Sequence, residues 1–286
     1  MSIRLPLFLR AAPAPRAGQR RCGLFASLLA SLALFSGCAQ LPPGQGSNAA
    51  LSGKRLRVTI QFNASVNPNF HYFFLINYDQ SQGQGGNQNA TGPVAVLRPV
   101  NANQGYGNGF AAGSGGSAFG FTDFVRFEGN AYRLFHVVGD PTRSRFVDEG
   151  QPVSFTLPNG GNPAVLQFDI DLSQIVVASS GAALDPTTAV NQALNIRWLQ
   201  MNIVATDVIP VNQTTLVNKQ VDSLGNTQTP TGAASFLSLD VSQIRSYMNQ
   251  DFVGQAVFEP TGDVYGSVNP DPALDIINYT IAVVKQ

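Results

Sequence analysis

From residue 54 onward, apolar and polar side chains alternate. Leu56, Val58, Ile60 and Phe62 interleave with Arg57, Thr59 and Gln61. A period of two puts one face of a strand in a core and the other toward water. The run 70–78 (FHYFFLINY) is apolar on both faces, which predicts a central strand covered on both sides. Further β-rich runs stand at 93–97, 121–128, 131–138, 153–157, 165–170, 194–205, 214–221, 234–239, 255–258 and 275–284. In 165–170, Leu166, Phe168 and Ile170 are expected to point inward, with Gln167, Asp169 and Asp171 outward. Gly129-Asn130 sits between two such runs and predicts a hairpin turn. Residues 222–225 (DSLG) read as another turn. The last run is rich in β-branched residues and is expected to be buried.

Helical spacing is scarce. Val241, Ile244, Tyr247 and Met248 share one side of a helix over 241–250, and a shorter helix is expected after Asp171. Two segments echo each other, Phe168 to Ile175 and Leu239 to Ile244, each ending Asp-x-Ser-Gln-Ile. The echo fits an old duplication, or the same strand-to-helix cap used twice; the flanking residues do not align, which favours the second. These elements predict an all-β fold, a sandwich or open barrel of about ten short, mainly antiparallel strands with one or two short helices. Residues 54–286 are expected to form a single domain, or alternatively two sub-domains split near 180–193.

The first 37 residues differ in kind. Five arginines and no acid precede an apolar run, 23–35, too short to cross a bilayer. A basic n-region, a short apolar h-region and the small residues Ser36 and Gly37 make a secretory signal. Phe35-Ser36-Gly37-Cys38 resembles the lipobox of bacterial lipoproteins, with Phe35 standing where that class prefers Leu, Val or Ile. The resemblance implies a signal peptide over 1–37, removed before Cys38. It also implies a diacylglycerol on the Cys38 thiol and a further acyl chain, such as palmitate, on the new amino terminus. An ordinary signal peptide would leave Cys38 as a free thiol. Residues 38–53, rich in Pro, Gly and Ser, form a flexible tether. Ala39 and Gln40 follow the cysteine, and within the resembled class the absence of Asp there implies the outer membrane or cell surface rather than the inner membrane.

Removing the signal leaves the mature chain with a net charge of −5, since it takes five of the 17 basic residues and none of the 17 acidic ones. A mildly acidic surface argues against nucleic acid, which demands basic patches. Cys22 lies in the signal, so the mature chain has no second cysteine for a disulfide and no Cys/His metal site. No cofactor is expected beyond the covalent lipid on Cys38.

Candidate chemistry is sparse. The loop 79–92 offers Asp79 as a calcium ligand, and Asp169 and Asp171 stand two apart on one strand, roughly 7 Å from each other. All three are weak against the reading of a solvated loop and strand face, so no metal is assigned. His71 and His136 lie in strand runs, where a satisfied, half-buried histidine is the commoner state. Three Glu remain, Glu128, Glu149 and Glu259, which sequence cannot bring together. No elbow, phosphate loop, dinucleotide or zinc motif occurs. The Gly-rich loop 101–120 carries Tyr106, Phe110 and Phe119. These aromatics form a candidate binding loop for sugar rings or a partner surface, or fold back to plug an open end of the sandwich. Together these features imply a membrane-anchored envelope lipoprotein that displays a non-catalytic β-sandwich and binds an envelope protein or glycan. The alternatives are a polysaccharide hydrolase using carboxylates and a self-assembling surface protein.

Overall fold

The computed structural model describes residues 51–78, 85–97, 109–113, 120–138, 145–177, 182, 184–209 and 219–285. The first strands are β1 (Lys54–Phe62), β2 (His71–Asn77), β3 (Pro93–Ala95), β4 (Ala111–Gly113), β5 (Asp123–Glu128), β6 (Ala131–Val138) and β7 (Arg145–Gly150). Then come β8 (Ser154–Thr156), β9 (Val165–Asp171), helix α1 (Pro186–Asn195), β10 (Trp198–Thr206) and β11 (Val221–Ser223). Helix α2 (Pro230–Ala233), β12 (Leu237–Asp240), β13 (Ser246–Met248) and β14 (Ile276–Lys285) complete the order. All the ladders are antiparallel. The protein is an all-β sandwich.

One sheet has five strands in the order β13-β14-β1-β9-β8. The other has seven, β11-β10-β2-β5-β6-β7, with β12 also on β10. The main core lies between them. It takes Leu56, Val58, Ile60 and Phe62 from β1, Leu166, Phe168 and Ile170 from β9, and Phe74 and Ile76 from β2. Residues before and after 180–193 share this core, with Leu199, Met201 and Ile203 from β10 beside Tyr279 and Ile281 from β14.

The alternate residues of β2, Phe73 and Leu75, face a second apolar cluster with Phe110, Phe121, Phe124, Val204 and Val221. Here the short β3–β4 hairpin contributes Ala95 and Ala111. This double burial explains why 70–78 is apolar on both faces. Gly129 and Asn130 turn the β5–β6 hairpin, both at positive φ (57° and 64°), the conformation of a two-residue hairpin loop.

Several expectations are corrected. Residues 241–248 are not helical, and only a short 3-10 turn, Asn249–Phe252, follows. Asp240 Oδ1 instead accepts from the Ser242 amide (2.9 Å) and hydroxyl, and β13 pairs Tyr247 with Ile281. Ser and Asp side chains compete with helix in this way, and Ile244 is left exposed. The long helix is α1, opened by Asp185 accepting from the Thr188 amide at 3.0 Å, with Pro186 in its first turn. Residues 255–258 are turns, β4 and β7 arise where no strand is expected, and β11 occupies the first two residues of the expected turn at 222–225. Most of 214–221 lies outside the described residues.

Lys54 opens β1 and reaches the end of α1, where its Nζ donates to the carbonyls of Leu194 (3.3 Å) and Ile196. Burial, then the charge of Lys285, pushes this amine down from 10.5 to about 8. The folded chain holds that proton less tightly than the unfolded chain. Stability therefore rises as pH climbs from about 8 toward 10.5. Lys54→Met is expected to remove this slope, which urea midpoints at pH 7 and 10 for both proteins will show.

Candidate functional site

Four carboxyl groups collect where the segment 259–266 passes along β11 toward the start of β14. Asn249 holds the segment at one end. Its side chain donates to the Glu259 carbonyl (2.9 Å) and accepts from the Glu259 amide (2.8 Å). At the other end Tyr265 and Val221 exchange backbone bonds of 2.8 and 3.0 Å. Between these points lie Glu259 and Asp263; Asp222 comes from β11 and Asp275 from the residue before β14.

Each aspartate is fixed by an amide. The Ile276 amide donates to Asp222 Oδ2 at 2.7 Å, the Thr227 amide to Asp263 Oδ2 at 2.8 Å, and the Gly262 amide to Asp275 Oδ1 at 2.8 Å. Asn63 Nδ2 adds a 2.8 Å bond to Asp275 Oδ2. The turn preceding Thr227 depends on Gly225, at φ 86°, where an added Cβ would lie 2.2 Å from the Ala256 carbonyl oxygen.

One oxygen from each of Asp222, Asp263 and Asp275 lies within 4.8 Å of the others. The four acids are 0, 1, 4 and 3% exposed in chain order. Among the described residues no Lys, Arg or His forms an ion pair with any of them. Burial, followed by the charges of Asp222 and Asp263, holds Glu259 well above the usual carboxylate range. Burial and Asp263 do the same to Asp222. The arrangement is a concentration of buried negative charge, suited to holding a cation or to keeping its own protons.

The residues singled out from sequence lie elsewhere. Asp169 and Asp171 are not on a solvated face; both are buried. Asp169 takes a forked pair of bonds from Arg57, 3.0 and 2.9 Å. Asp171 accepts from the Ser52 amide and hydroxyl, the Gly53 amide, and the Ser173 amide and hydroxyl, at 2.6–3.0 Å. The echo of Asp-x-Ser at 171 and 240 is thus one local chemistry used twice, a carboxylate accepting from the serine two residues on. Asp79, Tyr106 and Phe119 lie outside the described residues, as do residues 1–50 with Cys38.

Phe110 is buried and stacks on Phe73, ring centres 4.0 Å apart and planes 1° from parallel. It packs in the second cluster and is not displayed. His71 lies 3.2 Å from Glu128. His136 Nδ1 lies 2.8 Å from Asp123 Oδ1, whose Oδ2 accepts from Thr122 at 2.7 Å. Burial opposes charge on His136, but the Asp123 bond and charge carry its pKa upward. Lys219, also buried, donates to the Gly109 carbonyl at 2.8 Å, and burial pushes its amine down to about 7.

Sequence reasoning missed the four-acid cluster because its members are spread from 222 to 275. The one local signal is Glu259-Pro-Thr-Gly-Asp263, two acids flanking a glycine turn. Compared with protein-family models, with curated proteins and with solved structures, the chain matches none. Among the described residues no helix is long and apolar enough to cross a membrane.

Proposed function

We propose that the protein is an extracytoplasmic lipoprotein, held at the outer membrane or cell surface by acyl chains on Cys38. Its sandwich serves a non-catalytic role, binding an envelope protein or a glycan. The observation that carries this reading is the way the chain after Cys38 enters the fold. Ser52 and Gly53, the last two residues of the expected tether 38–53, are not loose but are gripped by the buried Asp171. The chain then runs directly into β1, which lies between β14 and β9. A pull transmitted from a membrane anchor would load both ladders along their length, so many hydrogen bonds would share the force. The 13 residues from Ala39 to Leu51 allow a reach of at most about 45 Å.

The edge strand β8 suits the binding role. Phe155 and the following Leu157 stand two apart, each 37% exposed, and among the described residues β8 pairs on one side only, with β9. An apolar pair beside an open edge fits a sugar ring or a partner strand. A hydrolase would need carboxyls open to a groove, whereas the four-acid cluster is closed to solvent.

Two experiments test the reading. Wild type is expected in the membrane fraction and Cys38→Ala in the soluble fraction. The soluble Cys38→Ala chain is expected to capture a glycan on an array or a protein from envelope extract, and Phe155→Ser to weaken that capture about tenfold. Equal fractionation of the two proteins would remove the anchor. Turnover of a polysaccharide would favour the hydrolase, and concentration-dependent oligomers in light scattering the self-assembling protein.

A further inference from the structure

We propose that Asp222, Glu259, Asp263 and Asp275 form a Ca²⁺ site that fastens the 259–266 segment between the edge strand β11 of one sheet and β14 of the other. The inference is independent of the lipid anchor and of any partner at β8.

The donor set favours Ca²⁺. The three aspartate oxygens lie within 4.8 Å of one another, close enough for neighbouring ligands of one ion bound at about 2.3–2.6 Å. Several carboxylates on one protein cage are the chemistry of Ca²⁺, whereas Mg²⁺ gives up its water reluctantly and is seldom held by an all-protein cage.

A second observation points to a ligand. Glu259 is 1% exposed, and neither of its carboxyl oxygens has a partner in good hydrogen-bond geometry among the described residues, its polar neighbours being the Gly225 amide and the Asp263 carboxyl. Asp263 Oδ1 is likewise buried without a partner. Buried oxygens left unpaired are costly, and here they belong to the same cluster, since Asp222 and Asp263 are the charges that act on Glu259. The amide bonds described above fix the position of each aspartate, and Thr227 Oγ1 stands 3.4 Å from both Asp222 Oδ1 and Asp263 Oδ2. A shell of that kind orients metal ligands. Four carboxylates supply the charge that a divalent ion neutralises, and backbone carbonyls or water complete the 6–8 oxygens Ca²⁺ takes.

The rival state is protonic, with Glu259 and Asp263 sharing a proton and the cluster holding no ion. Titration separates the two. The mature chain carrying Cys38→Ala is stripped with EGTA, dialysed and titrated with CaCl₂ in a calorimeter. One ion per chain is expected, with Kd on the order of 10⁻⁴ M or tighter. The melting temperature should rise by about 5–10 °C at a hundredfold excess over Kd. Mg²⁺ should bind at least about tenfold more weakly. Glu259→Gln should weaken Ca²⁺ binding by about tenfold or more, while Asp148→Asn, outside the cluster, should leave it unchanged. Terbium should show luminescence sensitised through Tyr279, whose hydroxyl Glu259 influences, and Ca²⁺ should quench it. Should Glu259→Gln fail to fold, the calorimetry and terbium signal of the Cys38→Ala chain decide. No heat and no shift in melting would overturn the proposal in favour of shared protons. Equal response to Mg²⁺, or several ions unaffected by Glu259→Gln, would overturn it in favour of diffuse surface binding.

Discussion

Replacing Asp171 with alanine is expected to lower the unfolding free energy by about 3–5 kcal/mol. The carboxylate is buried and accepts bonds from Ser52, Gly53 and Ser173, with Arg55 Nε 3.6 Å away. Removing it strands three backbone amides and closes nothing in exchange. The bonds from Ser52 and Ser173 outweigh burial and hold Asp171 below the usual carboxylate range. A carboxylate with a depressed folded pKa stabilises the protein above its unfolded value and loses that contribution as pH falls through the folded one. Wild type should therefore lose this part of its stability below about pH 4, and Asp171→Asn should start lower and lack that component of the acid loss. Urea unfolding at pH 7 and pH 3.5 measures both effects. Hydrogen exchange should also speed at the start of β1 in the variant, because the grip on Ser52 and Gly53 is gone.

The second large effect is expected at Phe124. This ring is 1% exposed and touches five others: Phe73, Phe110, Phe121, Phe135 and Phe146, at centroid distances of 4.9–5.9 Å. Phe124→Ala should cost about 3–5 kcal/mol through lost burial and the cavity left among those rings. Phe146→Ala, on the rim and 36% exposed, should cost about 1 kcal/mol. Thermal melting of the two variants compares them directly. Equal losses would mean that the second cluster is not organised around Phe124.

Those two residues also mark how far the sequence is readable. Period two at Leu56–Phe62 and the two-faced run containing Phe73 and Phe74 disclose the strands on which both sheets are built, because burial sets their composition directly. Gly129-Asn130 discloses its hairpin because few residues tolerate positive φ. The helix α1 was missed: its apolar stripe is only Ala189 and Ala193, too thin to register as periodicity, and its one local signal is Asp185-Pro186, a capping residue before a first-turn proline. Segment 241–250 carried the apolar spacing of a helix and became a turn and strand, since a local Asp240–Ser242 bond and pairing with β14 outweigh spacing.

The sites were less readable still. Alternation assigned Asp169 and Asp171 to the outward face and so to water. It could not show that Arg57 and the chain at Ser52 would cover them. The cluster of Asp222, Glu259, Asp263 and Asp275 exists only once β11 of one sheet and the start of β14 in the other have been brought side by side, a long-range event that no local window records.

The proposed placement requires Cys38 to be the lipid-bearing first residue of the mature protein. The most direct test is intact-mass and N-terminal fragment spectrometry of the protein extracted from its native membranes. The predicted result is a mature chain beginning at Cys38, heavier than its peptide mass by a diacylglycerol and an amide-linked acyl chain. A chain beginning elsewhere, or one beginning at Cys38 with the bare peptide mass, would contradict it.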